Sequence, residues 1–412
     1  MLSEPTDLTV DVLHVVFGHL PLPQYAHTLS ACSLVCKTWL PVARDYLFAY
    51  LHVGLAQPED GVMLAEQSSE LVEWNGLIKP KYADPLLARQ LRISARGVHA
   101  VTHAILYRTL PACPRVRHLR IGRARLSFPS SVSDPVVSYA LEAIRVDNVH
   151  APPQDLINLF SLFPGTRTIT IEICNVMCED ADGTSCISSP STFSRVEPTS
   201  LKVLYSDTKG GVLFNVFRRT RMIHTLRTFA FSLHHGSSLD ADLGTGLSEF
   251  IGQLANLEVL EWDDAPWDIG MAMFLAKFHP EDEQEIAAIE HKIEGFQTQV
   301  ASIFPRLSKL HTFSMSPPSP NLPERTCAAF LELLPISIRR VEVHISSYAS
   351  WTFELFATAL TRFQDLQSFS IVMLEKEFTG FDARVDELKA TLSELSSQGK
   401  LEIVAGQDRI TV

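Results

Sequence analysis

From about residue 86 to the end of the 412-residue chain one pattern recurs: an apolar residue, two others, an apolar residue, one other, an apolar residue. It reads Val116, Leu119, Ile121; Leu141, Ile144, Val146; Leu226, Phe229, Phe231; Leu257, Leu260, Trp262; Leu310, Phe313, Met315; Ile338, Val341, Val343; and Leu366, Phe369, Ile371. Weaker copies sit at Leu91 and Ile93, Ile169 and Ile171, and Leu201 and Leu204. Each has the period of two expected of a short strand with one buried face. Taking residues 91, 119, 144, 169, 204, 229, 260, 313, 341 and 369 as anchors gives steps of 28, 25, 25, 35, 25, 31, 53, 28 and 28. Helical stretches and Leu/Phe-Pro or Leu-Ala-Asn turns precede several copies, as in PPQDLINLFSLFPGTRTITI and TGLSEFIGQLANLEVLEW. One helix–turn–strand unit cannot hide its apolar face alone, whereas stacked units can. The pattern therefore predicts an α/β solenoid, an arc of parallel strands with outer helices.

These spacings and strand cores resemble leucine-rich-repeat proteins in a degenerate form, without a regular Asn ladder. The long steps mark insertions. The first, near 178–200, contains EDADGTSCISSPSTFSRVEPTS and reads as a surface loop. The second, near 264–300, contains HPEDEQEIAAIEHKIEGFQTQVASIF and reads as an acidic helix projecting from the arc. MSPPSPNLPER reads as a rigid loop. The array is assigned to 86–412, with 51–85 as a linker or N-terminal cap.

The first fifty residues have a different period. Leu8, Val12, Leu13, Val16, Phe17 and Leu20 fall at helical spacing from about Thr9 to Pro21, with Thr6 or Asp7 placed to cap them. A second helical stripe holds Leu29, Cys32, Val35, Cys36 and Trp39, and a third follows Pro41 with Val42, Ala43, Tyr46 and Leu47. So small a bundle hides little apolar surface and should lean on a neighbour or a partner. LTVDVLHVVFGHL followed by CSLVCKTW resembles the F-box motif at Leu8, Asp11, Val12, Leu13, Val16, Phe17, Leu20, Val35, Cys36, Lys37 and Trp39, and departs from it where Thr9 replaces the usual proline. The resemblance implies an F-box-like helical domain over 1–50. It implies docking on a Skp-type adaptor, and through it a cullin-RING ligase, by Leu8, Thr9, Val12, Leu13, Val16, Phe17, Leu20, Val35, Cys36 and Trp39. It further implies a non-catalytic substrate-recognition subunit of a Skp-cullin-F-box ubiquitin ligase, whose arc holds the substrate. The alternative is an F-box scaffold or regulatory binding protein acting outside a ligase.

Catalytic signatures are missing from the sequence: no phosphate loop, no Gly-x-Ser-x-Gly elbow and no His-Glu-x-x-His helix. Gly244-Thr245-Gly246 lacks the rest of a dinucleotide fingerprint. Cys174, Cys178 and Cys186 lack the paired spacing of a zinc site, and His234-His235 reads as structural or exposed. Neither an enzyme nor a cofactor is expected. The seven cysteines are odd in number and scattered, and Glu4 and Asp7 stand where an export signal would be basic, which fits reduced thiols in cytoplasm or nucleus. Cys32 and Cys36 read as small apolar core residues.

A formal charge of -12 argues against a general nucleic-acid partner, and the uncharged stretch 12–36 is broken by Pro21 and Pro23, so no membrane partner is expected either. Charge is unevenly spread. Residues 89–125 hold nine arginines and no carboxylate, while 258–294 hold eleven carboxylates against two lysines. Strand alternation turns Arg92, Arg120 and Arg145, then Glu172 and Asp207, then Glu261 and Asp263, towards the inner face. The arginines suit an acidic or phosphorylated protein substrate.

Overall fold

The computed structural model describes residues 10–18, 26–34, 37, 39–55, 71–74, 77–80, 84–95, 100–128, 139–172, 174–176, 196–204, 207–208, 212–232, 241–263, 283–317, 322–345, 351–373 and 381–405. The strands are β1 (Tyr50–Leu55), β2 (Leu71–Trp74), β3 (Leu77–Pro80), β4 (Gln90–Ser94), β5 (Ala100–Thr102), β6 (His118–Ser127), β7 (Ala143–Ala151), β8 (Thr168–Glu172), β9 (Asn175–Val176), β10 (Ser200–Leu204), β11 (Asp207–Thr208), β12 (Thr228–Phe231), β13 (Val259–Asp263), β14 (Thr312–Ser316), β15 (Arg340–Ile345), β16 (Ser368–Met373) and β17 (Leu401–Ala405). Twelve of them pair in parallel and in series, with Leu51, Leu91, Leu119, Ile144, Ile169, Leu201, Phe229, Leu260, Phe313, Val341, Phe369 and Leu401 in one register row. The described strands and the helices between them form an α/β solenoid.

Three details differ from the sequence reading. Strand β1 pairs in parallel with β4, and the β2–β3 hairpin closes antiparallel against β1, so the array begins at Tyr50, the last residue of the span read as helical domain, and takes in strands within 51–85, the span read as linker or cap. The anchor in β10 is Leu201; Leu204 lies three positions further on, opposite Glu172. Finally, Glu283–Val300 does not project. Its Ile293, Phe296 and Val300 are buried in the main core, and Phe296 meets the rings of Phe231 at 5.6 Å and Phe330 at 6.3 Å. Much of the acidic stretch before that helix, and the insertion over 178–195, lie outside the described residues.

The turns are joined by a backbone ladder. Each carbonyl just before a strand accepts two N–H donors from the next repeat: Ala49 from Arg89 and Gln90, Arg89 from Arg117 and His118, Arg117 from Glu142 and Ala143, and so on through Arg339, which accepts from Gln367 and Ser368. These otherwise orphan turn groups are thereby satisfied within the array.

The helices are α1 (Val10–Gly18), α2 (Ala26–Ser33), α3 (Trp39–Leu47), α4 (His103–Thr109), α5 (Pro153–Ser161), α6 (Val212–Phe217), α7 (Met222–Thr225), α8 (Ala241–Ile251), α9 (Glu283–Val300), α10 (Glu324–Leu333), α11 (Glu354–Leu360), α12 (Phe381–Thr391) and α13 (Ser393–Ser397). Core side chains grow where the outer helices lengthen. Strands β4 to β8 carry Leu, Ile and Val, whereas β12 to β14 carry Phe229, Phe231, Trp262 and Phe313. Trp262 and Phe330 of α10 lie 4.7 Å apart, filling the wider space between sheet and helix.

Helix starts are tied across repeats by side chains. The Glu324 carboxylate accepts from the Thr352, Phe353 and Leu355 N–H groups at 2.8, 3.0 and 3.0 Å, and Phe353 there has φ 64. One carboxylate thus satisfies the Leu355 donor in the first turn of α11 and two N–H groups of the turn that leads into it, where a non-glycine residue sits in the left-handed region. Substituting Glu324→Ala should lower stability by about 1–2 kcal/mol, read as a lower denaturant midpoint at unchanged m-value.

Candidate functional site

The face of the sheet turned away from the helices carries rows of polar side chains fixed by strand register. One row runs His52, Arg92, Arg120, Arg145, Thr170, Lys202, Ala230, Glu261, Ser314, Glu342, Ser370 and Glu402. In the row beside it, Ser94, Gly122, Asp147, Glu172 and Leu204 follow one another from β4 to β10, and Asp263 stands beside Ser316 further along. The expected Arg92, Arg120, Arg145 and Glu261 are therefore aligned, and Glu172 and Asp263 stand in the neighbouring row.

Asp207 does not join them. Strands β6 and β7 bend at Arg123 (φ 54) and Asn148 (φ 51), and the chain beyond enters a second parallel strip. Asp207 of β11 pairs with Asn175 of β9, and that strand pairs with the end of β7. The expectation counted three residues on from Leu204; with Leu201 as the anchor of β10, the positions equivalent to Arg145 and Asp147 are Lys202 and Leu204, and Asp207 falls beyond them.

The arginines do not form an open ring. Arg120 Nε donates to Asp147 Oδ1 at 2.6 Å and its Nη2 to Oδ2 at 3.0 Å, a two-pronged pair, while Arg145 Nη2 donates to Glu172 at 2.5 Å. Arg92 Nη2 stands 3.9 Å from Asp147 Oδ2, and its Nε is buried with no hydrogen-bond partner among the described residues. Burial opposes the charge on Arg120, yet the hydrogen bond and charge of Asp147, with Glu172 nearby, outweigh it and hold the guanidinium above its ordinary pKa. Gly122 makes room for this arrangement, since a Cβ there would meet Asp147 Oδ2 at 2.9 Å. Asp147 and Gly122 were missed in the sequence; aligning the 25-residue step from 119 to 144 puts them side by side.

Further along, Lys202 Nζ reaches Glu261 at 3.3 Å across the small Ala230, Glu342 bonds His344, and Glu402 accepts from the Ser370 hydroxyl at 3.2 Å. His52 Nε2 lies 2.8 Å from Ser94 Oγ.

The N-terminal helices α1 to α3 enclose a separate core of Leu13, Phe17, Leu29, Val42 and Ala43, with Cys32, Trp39, Tyr46 and Leu47 packed against it. Leu13 and Phe17 are thus internal, whereas Val12 and Val16 are exposed together with Val15, Leu34 and Leu40. Leu8, Thr9, Leu20, Val35 and Cys36 lie outside the described residues. Asp45 of α3 faces Arg89 and Arg115 at 3.7 Å each, and the Arg89 guanidinium lies over the Tyr46 ring at 5.6 Å, seating the bundle on the first turns of the array.

Among the described residues no group of His, Cys, Asp or Glu has the arrangement of a metal site. Cys174 is buried and donates to the Glu172 carbonyl at 3.3 Å; Cys178, Cys186, His234 and His235 are outside the described residues. Gly244 and Gly246 fall within α8, not in a phosphate-binding turn.

No family profile matches the chain, and no curated protein does. Among solved structures it is similar to the leucine-rich-repeat-containing protein LegL7 from Legionella pneumophila, at 12% identity and a TM-score of 0.38 over 75% of this chain and 95% of that one.

Two tests follow from these contacts. Asp147→Ala strips both Arg120 and Arg92 of their carboxylate and should cost about 3 kcal/mol, whereas Gly122→Ala should shift the same pair by steric pressure and show a smaller loss in thermal melts. Burial pushes the Cys113 and Cys174 thiols up to about 12 and raises Cys327 well above the usual thiol range. These thiols stay protonated in the folded chain at pH 8, so iodoacetamide should label them only on unfolding. Because their folded pKa lies above the unfolded value near 9, their contribution to stability falls as pH rises from about 9 towards 12.

Proposed function

We propose that this protein is a non-catalytic substrate-recognition subunit of a Skp-cullin-F-box type ubiquitin ligase. The observation that carries the reading is the bundle: three short helices with a core of five buried residues that nevertheless expose Val12, Val15, Val16, Leu34 and Leu40. A unit with so little core gains stability by covering those side chains with a partner. On this reading the bundle holds the Skp-type adaptor, the array holds the substrate, and binding makes the encounter between substrate and charged conjugating enzyme effectively intramolecular. No residue of the chain then performs acid–base chemistry.

The ion pairs sharpen which arginine meets an acidic or phosphorylated substrate. Arg120 and Arg145 are held by Asp147 and Glu172 at 2.6 and 2.5 Å, so they shape the face; each of Arg92 and Arg145 keeps a buried Nε without a partner among the described residues, but Arg92 is the one whose nearest carboxylate stands back at 3.9 Å. Its neighbours His52 and Ser94 add polar contacts in the adjoining strands.

Purified chain should retain a purified Skp-type adaptor, and deletion of residues 1–50 or the pair Val12→Asp and Val16→Asp should release it. Failure of the intact chain to retain the adaptor would sink the ligase reading; retention of adaptor without cullin would favour a scaffold outside the ligase. In a separate measurement, Arg92→Ala should weaken capture of an acidic phosphopeptide pool about tenfold or more without lowering the melting temperature.

A further inference from the structure

The residues that enter the strands form a column along one edge of the array: the carbonyls from Ala49 to Arg339 carry the backbone ladder, and Gln367 and Lys400 continue the column at the last two strands. The column runs Ala49, Arg89, Arg117, Glu142, Arg167, Thr199, Arg227, Glu258, His311, Arg339, Gln367 and Lys400, so six positions are cationic and two acidic. The whole chain, by contrast, carries -12. Adjacent strands stand about 4.8 Å apart, so the column extends over roughly 50 Å with cations in excess.

Part of this charge has a structural role. Basic groups suit the ends of helices, as where Arg362 donates to the Leu331 and Glu332 carbonyls. Arg89 is engaged by Asp45 and Arg227 by Glu258. That explanation does not cover Arg167 and Arg339, whose side chains are exposed and have no ion-pair or hydrogen-bond partner among the described residues.

A second observation falls on the same edge. The two most exposed large apolar side chains of the described array are Ile336 at 73% and Leu86 at 60%. Each stands three residues before the column, Leu86 ahead of Arg89 and Ile336 ahead of Arg339, at the tip of a turn. Water-facing aliphatic tips flanked by guanidinium groups are the composition of a surface that rests at a lipid boundary, apolar ends among the acyl chains and cations at the phosphates. A single-stranded nucleic acid would call for a row of exposed aromatic stacking platforms, whereas among the described residues the exposed large hydrophobics include one aromatic ring, Tyr107, which lies in helix α4 and not in the column. We propose that this edge is a peripheral docking surface for an anionic lipid bilayer. Among the described residues no helix is long and apolar enough to cross a membrane. The proposal departs from the sequence-based expectation of no membrane partner, and a contact of this kind needs no spanning segment.

Flotation of the full chain with vesicles tests it. Phosphatidylcholine vesicles containing about one third phosphatidylserine should carry the protein at low salt, and phosphatidylcholine alone should not. The double variant Arg167→Glu and Arg339→Glu, with circular dichroism unchanged, should bind about thirtyfold more weakly or worse, at about 1 kcal/mol per basic residue removed. Ile336→Ser should weaken the binding that survives raised salt. Absence of binding to the anionic vesicles, binding that the double variant retains, or preferential capture by a single-stranded RNA oligomer in vesicle competition would each overturn the proposal.

Discussion

The fold depends on the shared carbonyl at each turn. In a stacked array every repeat must end its helix and begin its strand at the same level as its neighbour, and the doubly accepting carbonyls from Ala49 to Arg339 enforce that level. One such bond contributes only about 1 kcal/mol, but a run of them makes each repeat's position conditional on the next. The apolar rows of Leu, Ile, Val and Phe can then register across twelve strands although the repeats differ in length.

Charge on the open face obeys the same register. A guanidinium on one strand meets a carboxylate one row further on the following strand, as Arg120 meets Asp147 and Arg145 meets Glu172. Pairs this well ordered determine shape more than affinity, because half-buried cations left without carboxylates would be costly. A row of arginines that looks like an open anion site in sequence is therefore largely a built-in brace, and Arg92 differs from the other two because Gly122 stands where its carboxylate would be.

Much of the fold was legible because strand period and repeat step both survive sequence degeneracy: the Leu119, Ile144, Phe229, Leu260 and Phe369 positions are all in register. What was not legible has physical causes. Strand β1 carries the repeat pattern as Phe48, Leu51 and Val53, but it follows the bundle helix α3 directly, so it reads as part of what precedes the array until its pairing with β4 is seen. Leu201 and Leu204 are both apolar, and only the neighbours in β8 and β12 decide between them. Helix α9 looked solvated because its polar side is long, yet Ile293, Phe296 and Val300 recur at helical spacing and dock it. For the site, strand alternation placed Arg92, Arg120 and Arg145 together, but Asp207 was counted from Leu204, and with Leu201 as the anchor the same positions in β10 belong to Lys202 and Leu204. The bundle residues divided in a similar way. Helical period grouped Val12, Leu13, Val16 and Phe17, and packing then turned two inward and two outward.

Native-state hydrogen exchange of the strand-entry amides tests the ladder most directly. The N–H groups of Thr168, Thr228, Thr312 and Arg340, each held by a shared turn carbonyl, should exchange only through opening of the array, with similar protection from end to end and with the Gln90 N–H, bonded to Ala49, included. Rapid exchange at these positions, or a break in protection between β1 and β4, would contradict a single array held by its turns.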